Sequence, residues 1–204
     1  MIDKTTLIES LHFRHACKIF DETKPIAPQD LKFILEAGRL SPSSFGMEHW
    51  RFVVVQSEDL KAQIQPLCWN QPQIGSCSDL IVVISKTQEV TQKSYYSKML
   101  GRRAMPQEKL DGYLGLYSNF TTQLDSALAW SSKQCYIASA NMMSYASLIG
   151  IDSCPIEGFE KESLEELLGI DKSEDIALLL PFGYRLHPQS QKLRLRLDEI
   201  VEYR

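Results

Sequence analysis

The sequence lacks the motifs that mark several common functional classes. It contains no GxGxxG and no GxxxxGK[ST] segment, so neither the usual dinucleotide site nor a P-loop is predicted. Its five cysteines are scattered and form no CxxC pair, and its four histidines show no metal-ligand spacing. We therefore expect reduced thiols in a cytoplasmic protein, with neither disulfides nor a metal site. No Ser–His–Asp or Cys–His order indicates nucleophilic catalysis.

Long apolar runs and an excess of positive charge are also missing. The longest apolar run, IALLLPF, is far shorter than the ~20 residues that a membrane helix needs. The start, MIDKTTLIES, has no apolar region typical of a signal peptide. A net charge of −4 gives no basic surface for nucleic acid. We therefore expect neither a membrane nor a nucleic acid as a partner.

Hydrophobic periodicity in the 204 residues predicts helices alternating with short strands. Helices are predicted over residues 3–15, 28–40, 57–67, 125–150 and 160–169, with Gly169 ending the last of them and shorter helical pieces between 88 and 124. Strands are predicted over residues 51–57, 79–85 and 175–185, and the alternation in LRLRLDEIV predicts a last strand over 193–201. No repeat or linker divides the chain, so one α+β domain spanning residues 1–204 is expected.

The longest predicted helix, residues 125–150, is rich in alanine and serine. Small side chains allow neighbouring helices to approach closely, which is typical of a buried central helix. The same composition also suits a dimer interface, and the sequence leaves both interpretations open. Gly150 is expected to end the helix as a C-cap.

The segment RHACKIFD, residues 14–21, combines Arg14, His15 and Lys18 at the junction of a helix and an extended segment. In an extended segment alternate side chains share a face, so Ala16 and Lys18 would point the same way. This segment could bind an anion, or it could be a solvated basic turn. Spacing alone does not decide between the two.

The segment KLRLR places three cations at alternate positions of the predicted last strand, namely Lys192, Arg194 and Arg196. Cations on one face of a strand repel each other unless an anionic group faces them. That group could be an acidic neighbouring segment, or a phosphate held through the paired N–H donors of arginine.

Two loops, SPSSFGMEHW and CPIEGF, are rich in residues that present backbone amides closely. Ser43 and Ser44 add hydroxyl donors, and such loops suit an aromatic, carbonyl-rich ligand at least as well as a phosphate. In the second loop, function could reside in the Glu157 carboxylate or in the peptide N–H groups of Glu157 and Gly158.

Taken in order, four motifs resemble those of the nitroreductase family of FMN-dependent enzymes. RHACKIFD resembles the family's N-terminal R-[HS]-x-x-[KR]-x-[FY] element, and SPSSFGMEHWRFVVV resembles its S-P-S-S loop and following strand. WSSKQCYIASANMMSYASLIGIDSCPIEGF is similar to its central helix and next loop, and KLRLRLDEIV to its C-terminal K-x-R element. The resemblance spans essentially the whole chain, and the ordered set is more specific than any single motif.

The resemblance implies a mixed sheet flanked by helices. It also implies a homodimer with two FMN sites at the subunit interface and the C-terminal strand of each subunit extended onto the other. By matched position, the FMN phosphate would be bound by Arg14, Lys192 and Arg194. The element from Arg14 to Lys18, including His15 and Ala16, would follow the ribityl chain and the ring, with Lys18 near the pyrimidine edge.

The remaining positions that match the family's motifs concern the flavin ring. Asn70 matches a family asparagine that bonds the pyrimidine part, and Gln73 falls where some members have a second lysine. The ring would also meet Pro42, Ser43 and Ser44 from the other subunit, and the loop of Pro155, Ile156, Glu157 and Gly158. The backbone N–H groups of Glu157 and Gly158 would face N5 and O4. The departures at Ala16, His49 and Gln73 leave the substrate range open.

The resemblance implies an NADH- or NADPH-dependent oxidoreductase with a ping-pong mechanism. Hydride would pass through flavin N5 to a nitroaromatic or quinone-type acceptor, with no catalytic side chain required. One alternative is a flavin or dihydropteridine reductase of the same family, and another is a non-catalytic protein that binds or stores FMN. The ordered motifs argue against a purely structural dimerisation domain.

Overall fold

The computed structural model describes residues 3–204. Its helices are α1 Lys4–Phe13, α2 Pro28–Arg39, α3 Glu58–Leu67, α4 Pro72–Ser76, α5 Lys93–Gly101, α6 Gln107–Thr122, α7 Ala127–Leu148, α8 Lys161–Leu168 and α9 Leu197–Ile200. Its strands are β1 Trp50–Val55, β2 Asp79–Ser85, β3 Asp152–Ser153 and β4 Asp175–Gly183. Short 3-10 turns occupy Ser44–Gly46 and Glu89–Thr91.

The four strands form one sheet in the order β1-β2-β4-β3, and all three strand pairs are antiparallel. A bridge between Ala16 and Ser153 adds a parallel contact beside β3. Every residue of β2 is buried, as its unbroken apolar sequence predicts for a strand covered on both faces. The predicted α+β fold, with helices flanking a sheet, is confirmed, but the four strands form an antiparallel sheet and not the expected mixed one.

The two faces of the sheet support separate apolar cores. On one face, Leu80 and Val82 pack with Ile64 of α3 and Leu164 of α8. On the other face, the neighbouring side chains of β2 pack with α2 and α7. A third cluster lies between α5 and α6, around Tyr117.

The α2–α7 contact shows why α7 is rich in small residues. Gly38 of α2 lies so close to α7 that a Cβ atom there would come within 2.7 Å of Sδ of Met142. Eight residues of α7, including Cys135 and Ala138, are buried within a single chain. The interpretation as a buried central helix is therefore confirmed, while Tyr136 and Tyr145 remain exposed on its outer side.

Several predicted helix ends are confirmed by their capping residues. Pro28 begins α2, and the Ser57 hydroxyl caps α3 by accepting the N–H of Leu60 at 3.3 Å. Gly150 and Gly169 follow α7 and α8 with φ angles of 77° and 61°, where a glycine avoids the strain that a Cβ atom would cause.

The predicted last strand is wrong. Residues 193–196 form no strand, and Leu197–Ile200 form the short helix α9, whose first turn is closed by Glu199 accepting the N–H of Arg196 at 2.8 Å. Alternation of apolar and polar residues indicates that a segment has two unlike faces. A strand also needs a neighbouring strand with which to form backbone hydrogen bonds. Within residues 3–204 the tail pairs with neither edge strand of the sheet, β1 or β3, and Leu193 is left 75% exposed.

The two-residue strand β3 was not predicted, because it is too short to show a pattern. Within residues 3–204, no helix combines the length and the apolar character required to cross a membrane.

Candidate functional site

A cavity of about 590 Å³ lies where the two ends of the chain meet the loop after β3. Its lining comprises Arg14, His15, Ala16, Lys18, Pro155, Ser190, Gln191, Lys192, Leu193 and Arg194. The sheet positions the parts of this lining: Cys17 donates its N–H to the Ser153 carbonyl at 3.1 Å, and Cys154 donates to the Pro181 carbonyl at 3.2 Å. Both predicted cationic segments therefore face the same space.

Four cations line this cavity without a carboxylate to balance them. Arg14, Lys18, Lys192 and Arg194 form no ion pair within the described residues. Partial burial lowers the pKa of Lys192, and Arg14 and Arg194 lower it further by repulsion. The Lys192 ammonium is held by the carbonyls of Leu11, at 2.5 Å, and Arg14. A bound anion would relieve this repulsion.

Arg196, the third cation of KLRLR, does not reach the cavity. Its guanidinium pairs with the Asp198 carboxylate at 2.6 Å, on the exposed first turn of α9. The sequence interpretation had placed Arg196 on one strand face with Lys192 and Arg194, and it was wrong because that segment is not a strand.

A buried ion pair supports the segment that carries Arg14 to Lys18. The Asp152 carboxylate of β3 is buried and pairs with Arg185 at 2.6 Å, and His15 Nδ1 lies 3.4 Å from the same carboxylate. Burial lowers the pKa of His15, and Arg185 lowers it further. The guanidinium of Arg185 also lies 4.0 Å from the centre of the Phe13 ring. No sequence pattern indicates this pair, because Asp152 and Arg185 are 33 residues apart in the chain.

Gln73 and the cavity residue Lys18 both contact the thiol of Cys154. Its Nε2 atom and the Nζ atom of Lys18 lie 3.7 and 3.8 Å from Cys154 Sγ. Burial raises the pKa of the Cys154 thiol, although the Lys18 ammonium opposes this. Gln73 itself is buried, and its Oε1 atom has no hydrogen-bond partner in the described part of the chain.

The loop after β3 is bonded to the sheet at Ile156 and leaves the next two backbone N–H groups without an acceptor among residues 3–204. Ile156 exchanges both backbone hydrogen bonds with Leu179, at 2.9 and 3.0 Å. The N–H groups of Glu157 and Gly158, by contrast, donate no hydrogen bond to any described residue. The Glu157 carboxylate points away to accept the Tyr136 hydroxyl at 2.7 Å. The loop thus offers two unused backbone donors, while its carboxylate is already engaged.

The turn at Trp69 and Asn70 adjoins this loop. Both residues have positive φ angles, 56° and 54°, which are unusual for residues with a side chain. Asn70 is exposed, and Trp69 lies against Gly158 while donating its indole N–H to Glu160 at 3.0 Å. Sequence reasoning singled out Asn70 but missed Trp69.

The loop containing Pro42, Ser43 and Ser44 does not line the cavity of its own chain. Helix α7 and the loop itself fix its shape, since Ser44 donates its N–H to Gln134 Oε1 and Glu48 donates to the Ser43 hydroxyl, both at 2.9 Å. The expectation that these residues serve the site of a second subunit stays a prediction.

Comparisons with known proteins identify the family and the fold that this chain resembles. The family model described as "Nitroreductase family" matches residues 11–184. The candidate NAD(P)H nitroreductase YfkO of Bacillus subtilis is 37% identical over 216 residues, which cover 98% of each chain. Among solved structures, a candidate nitroreductase of Exiguobacterium sibiricum in complex with FMN is 25% identical, with a TM-score of 0.83 over 100% of this chain and 98% of that one. Another, ydfN of Bacillus subtilis, shows the same fold at 20% identity, with a TM-score of 0.89 over 99% of this chain and 100% of that one.

Proposed function

The chain belongs to the nitroreductase family, and on that premise we propose that residues 1–204 form one FMN-binding domain of an NAD(P)H-dependent oxidoreductase. The observation that carries the proposal is the cavity lined by four unpaired cations from both ends of the chain. A phosphate with two negative charges suits this position, because arginine side chains bind phosphate through paired donors.

The residues present fit FMN at both ends. Arg14, Lys192 and Arg194 would hold the phosphate, and Lys18 lies along the same cavity towards Cys154. Beyond Pro155, the free N–H groups of the loop can bond the carbonyl and nitrogen acceptors of a flat ring. A site for an anion at one end and an aromatic, carbonyl-rich group at the other matches the two halves of this cofactor.

The proposed binding residues divide in the same way between the two parts of FMN. The segment beside the ribityl chain and ring comprises Arg14, His15, Ala16 and Lys18. The groups around the ring comprise Asn70, Gln73, Pro155, Ile156, Glu157 and Gly158. From a second subunit, the site would receive Pro42, Ser43 and Ser44.

When bound, FMN would supply the redox chemistry, namely hydride transfer from NADH or NADPH to a nitroaromatic or quinone-type acceptor in ping-pong order. The chain positions and tunes this chemistry. Lys18 provides a fixed positive charge near the ring, which favours added electron density there. The N–H groups of Glu157 and Gly158 orient the ring edge, and no side chain needs to act as a general acid.

A homodimer is proposed from the apolar surface that a single chain leaves exposed. Leu7, Ile8 and Leu11 form an exposed face on α1, and Tyr136 and Ile137 lie exposed on α7. The tail after β4 adds Leu193, Leu195, Leu197, Ile200 and Tyr203, all more than half exposed. Apolar area of this extent marks an interface. A tail extended onto a partner would cover these residues and complete both FMN sites.

The test is spectroscopic. The purified protein should be yellow, should lose its colour with NADH or NADPH under nitrogen, and should regain it when a nitroaromatic is added. A colourless protein that binds no added FMN would contradict the proposal. Binding without NAD(P)H oxidation would indicate a storage protein instead. A panel with nitroaromatic, quinone, flavin and dihydropteridine acceptors would separate a nitroreductase from a flavin or dihydropteridine reductase.

A further inference from the structure

The two free N–H groups of the loop can only orient a ring if the loop itself is held in place. Glycine has the largest conformational freedom of any residue, so a loop containing Gly158 is not rigid by itself. Two side chains from different parts of the fold bond this loop on opposite sides of the Glu157–Gly158 peptide, namely Tyr136 and Gln71.

Tyr136 holds the side chain of Glu157. Its hydroxyl lies 2.7 Å from Glu157 Oε1, and the phenol belongs to α7, which is packed against the sheet and α2. Burial raises the pKa of the Tyr136 phenol, and the bond to Glu157 raises it further, so the phenol remains a donor throughout the physiological range. The carboxylate is thereby fixed to a rigid helix and turned away from its own N–H group.

Gln71 holds the backbone of Gly158. Its Nε2 atom donates to the Gly158 carbonyl at 2.9 Å, and its Oε1 atom accepts Gln73 Nε2 at 3.0 Å. A carbonyl oxygen can only accept, so the orientation of both amides follows from the Gly158 carbonyl. The chain of bonds therefore runs in one direction, from Gln73 through Gln71 to Gly158.

This direction explains the unpartnered atom of Gln73. Once its Nε2 atom faces Gln71, its Oε1 atom points into the interior and finds no donor among residues 3–204. A buried acceptor without a partner destabilises a fold. This destabilisation arises because Gln73 Nε2 bonds Gln71, and that bond orients Gln71 towards the Gly158 carbonyl.

We propose that Tyr136 and Gln71 are positioning residues that fix the N–H groups of Glu157 and Gly158 towards the ring of the bound cofactor. This inference rests on the proposed function, because it gives those two N–H groups a ligand. It assigns the Glu157 side chain the role of an anchor. The carboxylate matters as a hydrogen-bond acceptor, and its charge has no part in the chemistry.

The test compares isosteric variants that each remove one donor. Tyr136→Phe removes the hydroxyl, and Gln71→Glu removes the donor to Gly158 while keeping an acceptor for Gln73. Matched controls are Tyr145→Phe, on the exposed side of the same helix, and Gln63→Glu, whose amide donates to a backbone carbonyl within α3 at 3.2 Å. The measurements are anaerobic stopped-flow reduction of bound FMN by NADH and NADPH, and the visible absorption spectrum of bound FMN.

Each of the two test variants should slow reduction about three- to tenfold and shift the absorption bands of bound FMN, while both controls match the wild type. The ratio of FMN to riboflavin affinity should stay constant, because the cations that would bind the phosphate are untouched. Glu157→Gln keeps an acceptor for Tyr136, so it should slow reduction less than Glu157→Ala does. Glu157→Ala should reproduce the Tyr136→Phe defect, and combining the two changes should slow reduction no further.

Wild-type rates and spectra in both Tyr136→Phe and Gln71→Glu would overturn the inference. A loss in Glu157→Gln equal to that in Glu157→Ala would overturn the anchor role and give the charge a function. Both outcomes presuppose that the wild type binds FMN and oxidises NAD(P)H. If it does neither, the proposed function itself is wrong, so the two failures can be told apart.

Discussion

The indole of Trp69 lies against the backbone of Gly158 so closely that a Cβ atom at residue 158 would come within 2.5 Å of Cζ3. From the sequence, the flavin ring was expected to meet the loop at Gly158. The flat ring that requires glycine within a single chain is the tryptophan. Trp69 also donates its indole N–H to Glu160, so it contacts the loop at two positions.

Gly158→Ala should therefore displace Trp69. The indole is 64% exposed and can swing outward, so the free energy of unfolding should change by less than about 1 kcal/mol. Tryptophan fluorescence should shift to longer wavelength as the indole becomes more hydrated, and FMN reduction should slow. The checks are emission spectra and stopped-flow reduction.

Gly112→Ala is the matched control for this variant. Gly112 lies in the exposed part of α6, and a Cβ atom there meets nothing within 4 Å. Alanine should stabilise the helix by about 0.5–1 kcal/mol and leave the fluorescence and the reduction rate unchanged. Unchanged emission in Gly158→Ala would show that the Trp69 contact is not maintained in solution.

His49 should make the protein sensitive to acid. Its ring is fully buried beside Trp130, with Nδ1 3.2 Å from the Ser131 hydroxyl, and burial lowers its pKa to about 4. The unfolded chain binds a proton near pH 6.5, so the unfolded state holds more protons between pH 6.5 and 4. Stability is therefore complete above pH 6.5 and falls as the pH drops towards 4.

His49→Gln cannot titrate and should remove this part of the pH dependence. Between pH 7.5 and 4.5, the free energy of unfolding of the wild type should fall by roughly 2–3 kcal/mol more than that of the variant. Urea unfolding at the two pH values measures the difference. His187→Gln replaces an exposed histidine and should follow the wild type. Parallel pH profiles for wild type and His49→Gln would contradict the prediction.

The secondary structure could be predicted from the sequence wherever residues that are close in the chain determine it. Pro28 and Ser57 mark helix starts, Gly150 and Gly169 mark helix ends, and an unbroken apolar run marks the buried strand β2. Each of these effects acts within one turn or one strand, so it can be read from neighbouring residues. The prediction of a last strand was wrong because strand formation also depends on pairing with another strand, which the local sequence does not reveal.

The candidate site was predictable in part for the same reason. Arg14, Lys18, Lys192 and Arg194 were identified by their residue types, and the fold brings them to one cavity. No sequence pattern indicated the hydrogen bond between Tyr136 and Glu157, since a helix end and a strand separate the two residues in the chain. Such contacts follow from the packing of α7 against the sheet, which only the three-dimensional structure gives.

The C-terminal tail should hold the proposed dimer together. Leu197 and Ile200 are 70% and 65% exposed on α9. Burying such a side chain at an interface stabilises it by about 1.5–3 kcal/mol. Leu197→Glu combined with Ile200→Glu should therefore shift the protein from dimer to monomer in sedimentation velocity. Glu202→Lys changes the charge of the same tail without altering an apolar residue, and it should remain dimeric. A wild type that sediments as a monomer at all concentrations would refute the interface.

Arg194→Ala tests the proposed phosphate end. Arg194 lines the cavity and has no carboxylate partner among residues 3–204. Its loss should therefore remove a charged hydrogen bond to the phosphate and weaken FMN binding roughly tenfold or more. Riboflavin lacks the phosphate, and its affinity should be the same in variant and wild type. Arg196→Ala is the matched control, since Arg196 is already paired with Asp198 and should leave both affinities unchanged. Titrations followed by flavin fluorescence measure all six dissociation constants. An equal loss of FMN and riboflavin affinity in Arg194→Ala would mean that the residue supports the cavity without contacting the phosphate.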